Sequence, residues 1–301
     1  MISYSEYFPK GKFKDIRFNE PLKLHTSFKV GGPADVMIIP STEEELIRAV
    51  KTCREKDIKY FIMGNGSNLL VRDTGIRGVV IKINEGFDNV QVEGTKIMAQ
   101  AGALLTAVSK LALRNSLQGM EFASGIPGTI GGAITMNAGA YGGEMKDIVR
   151  SVRVMTSDNQ VLQLSNREMN FEYRNSRVKD QDLIVLSVEF ELELGELENI
   201  EEKMRELTFQ RTSKQPLELP SGGSTFKRPE GYFAGKLIDD SGLRGLRHGD
   251  AQVSEKHCGF VVNRGETTYK EVMELVGVIQ KTVMDKFGVE LEMEITRVGD
   301  D

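Results

Sequence analysis

Apolar positions recur along the chain in two rhythms, and each change of rhythm marks an element boundary. The run "DVMIIP" (35–40) predicts a short strand, and "STEEELIRAVKTCREK" after it carries Leu46, Val50 and Cys53 at i, i+4 and i+7, one face of a helix. Ser41 and Glu44 have the spacing of a capping box at its start. Strands are expected again at "YFIM" (60–63) and "GVVIKI" (78–83), so the opening stretch reads β-α-β-β. From Val90, "VQVEGTKIMAQAG" alternates as a hairpin, and a helix is expected near 103–115. "SVRVMT" and "VLQL" flank an Asp158-Asn159 turn, and "LIVLSVEFELEL" (183–194) is a strand that closes a first half. "ENIEEKMRELTFQR" (198–211) reads as a charged helical connector.

From residue 213 onward the pattern forms a unit of its own. Thr268 and Glu271 make a second capping box, Val272, Leu275, Ile279, Val283 and Phe287 form the inward stripe, and Gly288 is placed to stop the helix. In the final "VELEMEITRV", Val289, Leu291, Met293 and Ile295 alternate with Glu290, Glu292 and Glu294, so the three glutamates share one face of a strand.

Between 119 and 143 both rhythms fail, because eight of the 25 residues are glycine. That density disfavours regular helix and suits a backbone that something must approach closely. An earlier glycine signal, "GNGSNLLV" (64–71), follows a strand as a dinucleotide fingerprint would, yet Leu69 stands where the third glycine belongs. The chain then continues as strand and turn, which disfavours a Rossmann NAD site. What remains is either an ordinary polar turn or a nest of amides for a diphosphate. In "SGIPGTIGGAITMNAGAYGG", Pro127 fixes a turn, Gly128, Gly131 and Gly132 clear one face, and Asn137-Ala138-Gly139 bends the end. Two such loops point to one large ligand with a diphosphate and a flat ring, the alternative being a close packing crossing.

Composition narrows the class. The 301 residues, 40% of them apolar, suffice for two or three lobes, and the net charge of -5 argues against a nucleic-acid binder. "MISYSEYFPKGKFKDI" lacks a signal-peptide core and no run of 18 apolar residues occurs, so a soluble cytoplasmic protein without membrane insertion is expected. Two distant cysteines, Cys53 and Cys258, form no disulfide framework, and Cys53 reads as a core residue. His25, His248 and His257 lack ligand spacing, so no metal is expected.

Two further stretches carry candidate chemistry. In "FEYRNSR" (171–177), Arg174 either lies on a solvated face or pairs with a carboxylate or a developing oxyanion. In "RTSKQPLELPSGGSTFKRP", Ser224 has neither a nucleophile-elbow context nor a neighbouring histidine, and Lys227 is not at phosphate-loop spacing. A turn residue or a proton donor remains for Ser224, while Lys214, Lys227 and Arg228 concentrate charge suited to an anionic substrate.

Taken in order, "HTSFKVGGPAD" (25–35), "GNGSNLLV", "GIPGTIGGAITMNAGAYG", "YRNSR", "GGSTFKRP", "AGKLID", "VSEKHCGFVVN" and "LEMEI" resemble the UDP-N-acetylenolpyruvoylglucosamine reductase family over nearly the whole chain. "VKDQD" leads almost directly from the arginine motif to the next strand, which matches the family's short form. The resemblance implies an α+β protein. Two subdomains, 1–84 and 85–212, would form a FAD-binding fold of the vanillyl-alcohol-oxidase/PCMH type, and 213–301 a C-terminal α+β substrate-binding subdomain. It implies that Gly64, Asn65, Gly66, Ser67, Asn68 and Leu69, with Gly125, Ile126, Pro127, Gly128, Thr129, Gly131, Gly132, Asn137, Ala138 and Gly139, hold tightly bound FAD. NADPH, the co-substrate, would reduce the flavin and then give way to UDP-N-acetylglucosamine enolpyruvate, which becomes UDP-N-acetylmuramate for peptidoglycan. The family's catalytic arginine, proton-donating serine and glutamate fall on Arg174, Ser224 and Glu294, the last chosen from its three same-face glutamates by resemblance alone. Lys214, Lys227 and Arg228 would meet the diphosphate or carboxylate of the substrate, and no obligatory protein partner is implied.

Overall fold

The alternating runs do become strands and the helical stripes do become helices in the computed structural model, which describes residues 4–9 and 11–300. The first three residues and Lys10 of the N-terminal stretch read above lie outside the described residues. The protein folds as two compact units. The first comprises residues up to Arg17, Val36–Asn65 and Val79–Arg211; the second comprises Phe18–Asp35, Gly66–Gly78 and the chain from Thr212 onward. Residues 18–35 and 66–78, grouped from sequence with the N-terminal segment, thus fold with the C-terminal part.

In the first unit a five-stranded antiparallel sheet runs in the order Val161–Ser165, Val149–Met155, Ile184–Glu191, Lys96–Gln100, Val90–Glu93. Its registers set Val152 opposite both Leu164 and Val188, and Val188 opposite Ala99, so the period-two apolar positions bury together. Tyr60–Met63 pairs in parallel with Val79–Lys82, as expected of strands joined by a long connection. The helix Glu43–Glu55 buries Leu46, Val50 and Cys53 completely, as its stripe predicted. Burial pushes the Cys53 thiol up to about 12, which makes it a packing residue and not a nucleophile.

The cap of that helix differs from expectation by one residue. Thr42 is the N-cap, accepting from Glu45 N–H at 3.2 Å, while the Glu45 carboxylate takes the Ser41 N–H at 2.8 Å. Ser41 and Glu44 have the right spacing, but Thr42 and Glu45 have it too and lie nearer the first buried residue, Leu46. A second correction falls in the glycine segment. Ile130–Thr135 is helical despite containing Gly131 and Gly132, because Thr129 caps it and Ile130, Ala133 and Ile134 bury one side.

In the second unit the helix Tyr269–Phe287 has the predicted capping box. Thr268 Oγ1 accepts from Glu271 N–H at 3.1 Å, and the Glu271 carboxylate accepts from Thr268 N–H at 2.9 Å. Gly288 ends it in the left-handed conformation at φ +68°. Val272, Leu275, Ile279 and Val283 are buried, but Phe287 is 37% exposed, since the core beneath the helix ends at Val283. This helix packs on Ala234–Asp240 and on the strands Arg247–His248 and Ala251–Val253, which Val261–Asn263 extends to a three-stranded antiparallel sheet. The expected long final strand is shorter than its alternation suggests. Only Thr296–Val298 is regular, in parallel with Leu69–Val71, while Phe226 bridges Met293 ahead of it. The alternation still decides burial, with Leu291 and Ile295 inside and Glu290 and Glu292 exposed.

Candidate functional site

In the first unit the two glycine motifs touch. A Cβ at Gly64 would lie 2.2 Å from Thr129 Oγ1, so only glycine fits there, and Asn65 Nδ2 donates to the Pro127 carbonyl at 2.6 Å. Behind this contact, Ile130 N–H donates to Ala103 O and Gly131 N–H to Ala101 O, each at 2.8 Å, and Leu105 N–H donates to Gly128 O at 3.0 Å. The packing crossing weighed from sequence is therefore real for Gly64 and Gly131, where a Cβ would stand 3.1 Å from Ala101 Cβ. Gly132 differs. It is exposed and helical, and apart from its chain neighbours and the backbone of its own helix the nearest atom to its Cβ would be Thr129 Oγ1 at 3.6 Å, so neither crowding nor strain within the chain demands a glycine. A bare backbone at that point suits a ligand lying on the loop, and by that test these residues fit FAD.

Asn137 braces the end of the same segment. It is 1% exposed with φ +41°; its amide donates to Glu144 Oε2 at 2.8 Å and to the Glu172 carbonyl at 3.0 Å, and its Oδ1 accepts from Lys146 N–H at 3.0 Å. Its side chain is thus spent inside the protein, and the backbone is the part left to face a ligand. Ser176 Oγ donates to Thr135 O at 3.1 Å, so the arginine motif is tied to the glycine segment at two places. Between these ties Glu172 and Asn175 exchange backbone hydrogen bonds of 3.0 and 3.2 Å, forming a tight turn with Tyr173 and Arg174 at its tip. Arg174 is half-buried, takes φ +56°, and sets its guanidinium 5.1 Å from the Tyr173 ring centroid. A non-glycine residue held at positive φ costs on the order of 1 kcal/mol, a cost commonly found where a side chain is aimed for function.

In the second unit, the segment from Pro220 to Lys227 lies between two others. On one side Asn263 N–H donates to Pro220 O, Thr225 N–H donates to Gly259 O, both at 2.8 Å, and Thr225 Oγ1 accepts from Val261 N–H at 2.9 Å. On the other side Glu294 N–H donates to Thr225 O at 2.9 Å and Lys227 N–H to Glu292 O at 2.8 Å. Half-buried Ser224 precedes Thr225, and before it Gly223, at φ +82°, has open space where a Cβ would be. The same backbone receives the first glycine motif. Asn68 Nδ2 donates to Glu294 O at 3.1 Å, and Thr296 N–H donates to Asn68 O at 2.9 Å. Gly66 is required here too, its Cβ position lying 2.3 Å from the His25 carbonyl.

The three candidate cations are in different settings. Lys227 forms an ion pair with Glu292, Arg228 stacks its guanidinium 4.1 Å from the Phe233 centroid, and Lys214 is exposed at the end of the helix Leu197–Lys214. Sequence reasoning passed over Thr225, which is wholly buried and anchors the serine to Val261; a threonine beside glycines carries no periodic signal that would have exposed it. Cys258 lies near Asp239 and its thiol is pushed up to about 11, chiefly by burial, while burial lowers the pKa of His257. Among the described residues no His, Cys, Asp and Glu cluster forms a metal-binding group, and no helix is long and apolar enough to cross a membrane.

Comparison with known proteins agrees with both halves. A family model described as "FAD binding domain" matches residues 34–165, and one described as "UDP-N-acetylenolpyruvoylglucosamine reductase, C-terminal domain" matches residues 215–298. The chain is 53% identical to the UDP-N-acetylenolpyruvoylglucosamine reductase of Clostridioides difficile, over 96% of this chain and 95% of that protein. It is 50% identical to the enzyme of that name from Clostridium perfringens over the full length of both. The crystal structure of the Thermus caldophilus UDP-N-acetylenolpyruvylglucosamine reductase superposes with a TM-score of 0.81 at 37% identity, covering 94% of this chain and 98% of that one. The fold is α+β with an FAD-binding domain in the first part of the chain, as expected. Two successive family matches and relatives sharing half of all residues over nearly the entire length show that the chain belongs to the UDP-N-acetylenolpyruvoylglucosamine reductase family.

Proposed function

We propose that this FAD enzyme reduces UDP-N-acetylglucosamine enolpyruvate to UDP-N-acetylmuramate with Ser224 as the proton donor and with Arg174 and Glu294 on the carboxylate side of the enolpyruvyl group. The observation that carries the assignment of Ser224 and Glu294 is their shared backbone. Glu294 N–H donates to the carbonyl of Thr225, the residue after Ser224, beside a glycine with open space around it. FAD, when bound, supplies a hydride to the methylene carbon of the substrate, with NADPH as the source of reducing equivalents. Negative charge then develops on the neighbouring carbon and its carboxylate. The Arg174 guanidinium stabilises that charge as a permanent cation, and Glu294 contributes as a hydrogen-bond donor in its protonated form. A serine hydroxyl is a poor acid toward water but adequate toward so basic a carbon, and Ser224 delivers its proton there.

The segments 64–69 and 125–139 hold FAD, with Asn137 contributing its backbone, and 213–301 is the part that receives the substrate. Lys214, Lys227 and Arg228 serve the anionic groups of the UDP-sugar, and Lys227 must exchange Glu292 for the ligand to do so. A substrate made from nucleotide-activated sugar, together with NADPH, places the work in the cytoplasm. Purified protein should be yellow and should oxidise NADPH beyond one equivalent per flavin only when the enolpyruvyl nucleotide-sugar is present. A colourless protein that takes up no added FAD would overturn the reading.

A further inference from the structure

The helix Leu197–Lys214 buries Ile200, Met204 and Leu207, and the next position on that stripe, four residues on, is Arg211. Its side chain passes over Gly125, at the start of the glycine loop of the first unit. A Cβ at Gly125 would stand 2.7 Å from Arg211 Cδ and 3.5 Å from Nη1, so Gly125 is the residue that lets the guanidinium through. Among the described residues no carboxylate pairs with Arg211. Burial lowers its pKa, the only opposing influence being Tyr141, yet a guanidinium remains protonated at neutral pH. The helix dipole does not require a cation in this place, because exposed Lys214 occupies the same last turn without being desolvated. An unpaired, partly desolvated cation on an apolar stripe is unfavourable unless a ligand completes it.

We propose that Arg211 is the counter-charge for an anionic group of the flavin cofactor lying against the Gly125–Gly132 loop. This rests on the FAD reading above and deepens it. Two parts of the cofactor carry suitable charge: the diphosphate, in either redox state, and the ring, which becomes anionic on reduction. The two are separable by experiment.

Apoprotein of the wild type, Arg211→Met, Arg211→Gln and Arg211→Lys is titrated with FAD, followed by flavin fluorescence for the oxidised form and by anaerobic absorbance for the reduced form. Arg211→Met is expected to lose at least tenfold in affinity for one or both forms, with Arg211→Gln following it and Arg211→Lys staying within about threefold of the wild type. If the diphosphate is the partner, both affinities fall together and binding becomes less sensitive to salt. If the ring is the partner, only the reduced affinity falls, and the midpoint potential drops by about 30 mV per tenfold. The Arg211→Met apoprotein should melt at or above the wild-type temperature, which a merely structural arginine would not allow. Affinities within twofold of the wild type in both redox states, for Met and Gln alike, would overturn the proposal. Failure of the wild-type protein itself to bind FAD would instead overturn the cofactor reading.

Discussion

Glu294 gives its backbone N–H to the carbonyl of Thr225 at 2.9 Å, so the residue that follows Ser224 stands in register with the glutamate. The neighbouring pair, Phe226 with Met293, bridges the same two segments, and its apolar side chains turn to the core of the second unit. The proposed acid donor, Ser224, and the proposed carboxylate, Glu294, are thereby carried by adjacent positions of one short ladder. Replacing Ser224 by alanine should leave reduction of the flavin by NADPH intact and slow its reoxidation by substrate by roughly 10²- to 10⁴-fold, the usual worth of a positioned acid. Stopped-flow absorbance of the two half-reactions, measured separately, checks this, and equal rates in the second half-reaction would remove Ser224 from the mechanism.

Thr225 holds that serine to the strand Val261–Asn263 through a buried hydroxyl that accepts from Val261 N–H at 2.9 Å. Valine has nearly the same shape but no acceptor, and would leave a buried N–H unpaired at a cost of about 1–3 kcal/mol. Thr225→Val should lower the urea midpoint with an unchanged m-value, and should reduce turnover with substrate as the serine segment loosens. An unchanged midpoint would show that the hydrogen bond does not anchor the segment.

Gly64 and Gly132 should respond in opposite ways to the same added methyl. At Gly64 the methyl meets Thr129 Oγ1 at 2.2 Å, so Gly64→Ala should displace the Thr129 cap and destabilise the protein even without cofactor. At Gly132 the nearest atom beyond its neighbours and its own helix backbone is Thr129 Oγ1 at 3.6 Å, and alanine in a helix is favoured over glycine by about 1 kcal/mol. Gly132→Ala should therefore hold or raise the melting temperature of the apoprotein while weakening FAD binding. Melting curves with and without FAD distinguish the two; unimpaired FAD affinity in Gly132→Ala would mean that no ligand lies on that glycine.

The capping box of the long C-terminal helix should be visible in the acid limb of stability. Hydrogen bonds from the Thr268 backbone, then from the Thr267 and Thr268 side chains, hold the Glu271 carboxyl below its usual pKa. A depressed folded-state value means that this stabilisation is fully present above the unfolded pKa near 4.5, and is lost as the pH falls through the folded value. Glu271→Gln should thus cost stability at pH 7 and cost less at pH 3.5. Parallel urea titrations at the two pH values test the sign, and an equal loss at both would remove the charge from the explanation.

Much of the fold was legible because its cause is local. The stripe Leu46, Val50 and Cys53, the cap at Thr268 and the stop at Gly288 all depend on residues within a few positions of one another. Misreadings arose where two local solutions compete, as with Ser41 and Thr42 at one cap, or where a neighbour overrides propensity, as when Ile130, Ala133 and Ile134 pull a glycine-rich stretch into helix.

The sequence by itself determined the strands, the principal helices, the failure of the Rossmann pattern and, through the order of its motifs, the family. Those properties follow from side-chain period, from turn chemistry and from residue identity at given spacings. Tertiary structure alone decided that Asn68 bonds to the backbone of Glu294 across more than two hundred residues of chain, that Thr225 locks Ser224 to Val261, and that Arg211 lies bare against Gly125. Each of these is a single contact between segments that share no period, and its energy depends on burial and on which polar partners remain, quantities that exist only once the chain has folded.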